Sequence, residues 1–129
     1  MRLKNLSLSF STQVFKSFSE EPRVRILNLL YYKNELCISD LEQILEFTQT
    51  KTSRHLIYLK NAGIVGNRKI DQWVFYFIKD EVMDLVSRIL DFLQKDQVLK
   101  GDLETYDTLF SNRELSINRI KSLKLKKAE

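Results

Sequence analysis

The chain has 129 residues, 43% of them apolar, and carries 21 Lys and Arg against 17 Asp and Glu for a net charge of +4. That size and apolar share predict one folded domain with room for an appendage, and so mild a basic excess says little by itself about nucleic acid. A single cysteine excludes an intramolecular disulfide and accords with a reducing, cytoplasmic setting, while no run reaches the roughly 18 apolar residues of a membrane helix.

Leu3, Leu6, Phe10, Val14 and Phe18 fall at spacings of three and four and predict a first helix. Arg2 and Lys4 ahead of this stretch faintly imitate a secretory signal, but Ser, Thr and Gln interrupt it and no small-residue cleavage site follows. Pro22 sits where proline is tolerated, in the first turn of a second helix with the stripe Val24, Ile26, Leu27, Leu29 and Leu30. Lys33, Asn34 and Glu35 make a polar break. The pattern resumes with Ile38, Leu41, Ile44 and Leu45, for which Ser39 or Asp40 offers an N-cap.

Thr48 can cap the next helix, with Thr52, Leu56, Leu59 and Ala62 turned inward and Gly63 supplying the left-handed residue that stops it. Two short helices joined by a brief turn form a helix-turn-helix. After Gly63 the period changes to that of strands: Ile64 and Val65, the polar run from Gly66 to Gln72, then Trp73 to Ile78. In the second strand Val74, Tyr76 and Ile78 share one face, and Trp73, Phe75 and Phe77 the other. A hairpin in this position is a wing, and Asp71 is placed to form its turn.

A long helix is expected from Asp80 to Gln97. Val82, Leu85, Val86, Ile89, Leu90, Phe92 and Leu93 give it an apolar surface too wide for one side of a small domain, part of which should bury against a second copy of the chain. Leu103, Tyr106, Phe110, Ile117 and Ile120 keep a rough heptad, interrupted at Arg113, before a Lys-rich tail from Lys121 to Lys127. The expected class is therefore mainly α with a small β-hairpin wing. The winged domain with its dimerisation helices should occupy residues 1–97, and a helical extension with a basic tail residues 98–129.

Charge is unevenly spread along this plan. From Phe47 to Ile70, twenty-four residues contain no acid but hold Lys51, Arg54, Lys60, Arg68 and Lys69. From Asp80 to Glu114 nine acids face only Arg88, Lys95, Lys100 and Arg113, a poor surface for a phosphate backbone. A basic helix running into a basic hairpin is a nucleic-acid-reading shape.

The run Glu35-Leu36-Cys37-Ile38-Ser39-Asp40-Leu41, then Gln49-Thr50-Lys51-Thr52-Ser53-Arg54-His55-Leu56, Leu59, Ala62-Gly63-Ile64-Val65, Arg68 and Trp73-Val74-Phe75-Tyr76, resembles the ArsR/SmtB family of winged-helix repressors. The likeness spans roughly Ser19 to Leu93. It implies a homodimeric repressor that binds a palindromic operator on double-stranded DNA and is often released by a metal ion or another signal.

The N-terminal part of a recognition helix reaches base edges, which makes Gln49, Thr50, Ser53 and Arg54 the candidate readers; Gln suits adenine and Arg guanine. Lys51 and Lys60 are placed to neutralise phosphates. His55 matches the family's histidine, for which the resemblance implies support of the helix or a phosphate contact. Tyr58 can turn its hydroxyl to a phosphate or simply pack its ring. Arg68, Lys69 and Gln72 are expected on or near the wing tip. The dimer surface is expected from Leu6, Phe10 and Val14 of the first helix and Leu85, Ile89, Phe92 and Leu93 of the long one.

The family's metal sites are poorly matched. Arsenic-sensing members carry two cysteines separated by one residue, where this chain has Cys37 and Ser39, and a hydroxyl replaces a soft thiolate badly. Zinc and nickel sensors use carboxylates and histidines on the long helix, which here offers Asp84 and Asp91 but no histidine. No metal and no cofactor are therefore expected, and Cys37 remains a candidate redox or electrophile sensor. The alternative to a DNA-binding regulator is a winged-helix protein-interaction module. An enzyme fits least: there is no glycine-rich phosphate loop and no activated nucleophile.

Overall fold

The computed structural model describes residues 5–120. Helix α1 (Leu8–Ser17) begins where the hydroxyl of Ser7 accepts the amide of Phe10, at 3.1 Å. It thus starts later than the apolar spacing predicts: Leu6 precedes it and Leu3 lies outside the described residues. Helix α2 (Glu21–Lys33) has Pro22 in its first turn, buries Ile26, Leu27, Leu29 and Leu30, and ends where Asn34 takes a φ of 73°. Helices α3 (Ile38–Leu45) and α4 (Gln49–Asn61) form the helix-turn-helix, separated by Glu46, Phe47 and Thr48. Thr48 caps α4 as expected, accepting the Lys51 amide. Gly63 has a φ of 80°, and a Cβ there would come 3.1 Å from the Phe10 ring, so α1 rests directly on the turn that ends α4.

Strand β1 (Leu36–Cys37) is an element that periodicity does not reveal; with β2 (Val65–Ile70) and β3 (Trp73–Ile78) it makes an antiparallel sheet in the order β1-β3-β2. Ile70 pairs with Trp73, leaving Asp71 and Gln72 as a two-residue turn in which Asp71 has a φ of 55°. Aspartate tolerates that left-handed conformation and is favoured in such hairpin turns.

Tyr76 and Ile78 enter the main core with Leu27, Leu41, Leu56 and Leu59, while Phe75 on the opposite face is also fully buried, against Cys37 and Ile120. Both faces of the middle strand are covered because the C-terminal part of the chain returns over the sheet.

Helix α5 (Asp80–Asp91) stops short of the expected Gln97. The side chain of Asp96 accepts the Leu99 amide and starts a new helix, α6 (Gln97–Ser111). This helix lies on α2: Arg25 makes two bonds of 2.9 and 2.8 Å to Asp102, and Lys33 reaches Asp107 at 3.0 Å and the Tyr106 ring at 4.7 Å. Arg113 takes a φ of 59° and the chain doubles back. Asp40 was expected to cap α3, but its carboxylate accepts the amides of Ser116 at 2.7 Å and Ile117 at 3.3 Å, and α3 begins without a side-chain cap. Burial pushes that carboxyl pKa up, and the two amides oppose the rise. Tyr106 and Leu115 belong to the same apolar cluster as α2 to α4, so the extension after residue 97 shares their core rather than building its own. The Lys121–Lys127 tail lies outside the described residues.

Candidate nucleic-acid interface

Helix α4 turns Thr52, His55, Leu56 and Leu59 into the protein. On its outer side Gln49, Thr50, Ser53, Arg54 and Ile57 line one shallow, open depression. The four residues picked out as readers are therefore brought together, and no acid stands among them. Ile57, 56% exposed, was missed. Its signal was present in the helical phase, since an isoleucine opposite the buried stripe must face outward.

Lys60 is also exposed. Lys51 is half-buried and holds its ammonium 4.2 Å over the Phe47 ring, while Tyr58 is stacked beneath the guanidinium of Arg23 at 4.0 Å. Arg23 is buried. Its Nε donates to the Ser17 carbonyl at 3.1 Å, and its terminal nitrogens donate to the Lys16 carbonyl at 3.0 Å and to Glu20 at 3.1 Å. The ring of Tyr58 is thus packed on one side, while the residue as a whole remains 39% exposed.

His55 requires correction as a contact residue. It is only 3% exposed, so the side chain supports the helix from within and does not reach a phosphate. Burial lowers its pKa below 6.5, helped by the neighbouring charges of Arg54 and Arg23, so the ring stays neutral near pH 7. Neutral His55 favours folding above that ordinary value. Its contribution is lost as pH falls through 6.5, because the unfolded chain then takes up the proton first.

Arg68 lies near the wing tip but is engaged within the protein. It stands opposite Phe75 inside β2, and its Nε and a terminal nitrogen donate to the two oxygens of Glu35 at 2.6 and 2.7 Å. Such a bidentate pair occupies the fork that would otherwise meet a phosphate. Lys69, Asp71 and Gln72 are the exposed residues at the tip. Nothing in the local pattern marks Glu35, in the polar break after α2, as the partner of a residue so far along the chain.

Of the residues expected to meet a second copy, Leu6, Phe10, Leu85, Ile89 and Leu93 are half-buried and Phe92 is 89% exposed. Val14 is fully buried within its own chain and is corrected to a core residue. The outward stripe of α1 is instead Leu8 and Phe15, 85% and 59% exposed, and a groove between α1 and α5 is lined by Leu6, Phe15, Leu85 and Arg88 among others.

The family model for bacterial regulatory proteins of the arsR family matches residues 20–66. The cadmium resistance transcriptional regulatory protein CadC of Listeria innocua is 33% identical over 99 residues, which cover 76% of this chain and 82% of that protein. The chain belongs to the ArsR family. It is also 40% identical to the arsenic resistance transcriptional regulator ArsR1 of Pseudomonas putida over 77 residues, 60% of each chain. Among solved structures it is similar to HlyU of Vibrio cholerae, with 32% identity, a TM-score of 0.60, and coverage of 65% of this chain and 91% of that one. The fold is the winged helix-turn-helix of ArsR-type regulators, and the protein is a DNA-binding transcription regulator.

The Cys37 sulfur lies 3.1 Å from the Ser39 hydroxyl, which in turn lies 3.2 Å from the hydroxyl of Ser116. Cys37 is 2% exposed, and burial raises its pKa. Burial and a raised pKa both disfavour the thiolate that redox chemistry needs, and Cys37 packs against Phe75 and Ile120 under the C-terminal return. Among the described residues no group of three or more His, Cys, Asp and Glu could hold a metal ion, and no helix is long and apolar enough to cross a membrane.

Proposed function

We propose that this ArsR-family chain is a dimeric, sequence-specific repressor that reads a palindromic operator with α4 and has no use for the family's soft-metal site. The acid-free outer face of α4, with Gln49, Thr50, Ser53 and Arg54 around one depression, carries this reading. Base-reading side chains on the exposed face of a recognition helix, flanked by Lys60 and followed by Lys69 at the wing tip, match the needs of a major-groove contact with backbone clamps. The exposed Leu8, Phe15 and Phe92 support a second copy on the α1 and α5 side. That copy would set the two reading helices about 34 Å apart, one DNA turn. Ser39 in place of the second thiol supports release by something other than an arsenical, and the site chemistry supports a regulator rather than a catalyst.

The test is selection of binding sites from random duplexes with the full chain. A two-fold symmetric motif should be enriched, and its affinity should fall steeply with salt. Failure to enrich any motif, together with no gel shift at low salt, would overturn the reading in favour of a protein-interaction module.

The Glu35 pair yields a second expected result. In Glu35→Gln the fork of Arg68 is released toward the DNA backbone, so affinity should rise at low salt and the slope of log K against log salt should steepen by about one. Fluorescence anisotropy over a salt series measures both, and a weaker binder with an unchanged slope would show that Glu35 positions Arg68 instead of withholding it.

A further inference from the structure

The four polar readers on α4 share their depression with a residue of different chemistry. Successive residues of a helix are turned by about 100°, so Ile57 falls on the same stripe as Thr50, Ser53 and Arg54, opposite the buried stripe of Thr52, His55, Leu56 and Leu59. It is the one apolar side chain lining that depression and is 56% exposed. Singly exposed apolar residues are ordinary on protein surfaces. Here, however, the residue continues the readers' stripe one turn beyond Ser53 and Arg54 on the face that the proposed function turns toward DNA, and its branched side chain is stiff at χ1. A rigid hydrocarbon at that place has few partners to choose from. Phosphates and most base edges offer only polar groups, whereas the major groove presents one apolar group, the C5 methyl of thymine.

We infer that Ile57 is a specificity-determining residue that packs on a thymine methyl in each operator half-site. The inference rests on α4 being the DNA-facing helix. It adds a reading chemistry that the hydrogen-bonding residues around Ile57 lack: discrimination of thymine from cytosine or uracil by contact with the methyl alone.

The experiment uses the full chain and the duplex it selects from a random pool. Each thymine of the selected site is replaced in turn by deoxyuracil, which pairs identically and lacks only the C5 methyl. Wild-type protein should lose about four-fold in affinity per half-site at one symmetry-related thymine, the factor expected when one carbon loses its burial. Ile57→Ala should bind the thymine and uracil duplexes equally. Because Ile57 is largely exposed the variant should fold, which its circular dichroism and thermal transition verify. Indifference of the wild type to every uracil, a selected site without thymine, or an equal uracil penalty in Ile57→Ala would overturn the inference while leaving DNA reading intact. Enrichment of no sequence at all would instead remove the reading on which it rests.

Discussion

Phe75→Ala should lower the unfolding free energy by about 3–5 kcal/mol, a large part of the 5–15 kcal/mol typical of a domain. Phe75 is the largest fully buried side chain, and it lies where β3 is closed from behind by Cys37, Ile117 and Ile120. Truncation removes ring contacts from two layers at once, the sheet and the C-terminal return. The amides of Ser116 and Ile117 tether that return to Asp40, so it cannot simply slide in to refill the space. A thermal melt of the full chain should show a midpoint lower by about 10–20 °C. Val74→Ala, on the neighbouring and 38% exposed residue, should barely move it. A Phe75→Ala shift as small as that of Val74→Ala would mean that the return does not cover the sheet in solution.

Arg54→Ala should cost about 1–3 kcal/mol of discrimination between the operator and a site altered at one base pair. Arg54 is exposed beside Ser53 and Thr50, forms no ion pair with a carboxylate among the described residues, and lies 3.5 Å from the His55 ring. Burial keeps that imidazole neutral, so it does not compete for the role of cation. Lys60→Ala should weaken binding to all duplexes alike and reduce the salt slope by about one, as expected for a phosphate contact. Anisotropy titrations of both variants against the operator and its single-base variants separate the two behaviours. Equal, sequence-independent losses would take Arg54 out of base reading.

The parts of this molecule that were legible in its sequence are those fixed by neighbours along the chain. Thr48 announces the start of α4, Gly63 its end, Pro22 the first turn of α2 and Asp71 the wing turn, because in each case the chemistry acts within a few residues. What escaped depends on residues far apart. Strand β1 exists only because Leu36 and Cys37 find Tyr76 and Phe75. Asp40 has the composition of a helix cap but is claimed by Ser116 and Ile117, and Arg68 has the composition of a clamp but is claimed by Glu35. In α1 two apolar stripes compete, and only the packing of Val14 in the core and Phe10 on Gly63 decides that Leu8 and Phe15 face outward. The outward face of α4 follows from the sequence because one buried stripe determines its opposite, and Ile57 is absent from the candidates because that face was searched for polar residues alone.

Arg23 uses both aspects of one planar group: its edge holds the carbonyls that end α1, and its flat side lies on Tyr58 of α4. Lysine, a point charge on a flexible stem, could not serve both at once. The C-terminal end of α1 and helix α4 are thereby joined through a single planar cation. A displacement of the end of α1 would be felt at Tyr58 through that packing alone.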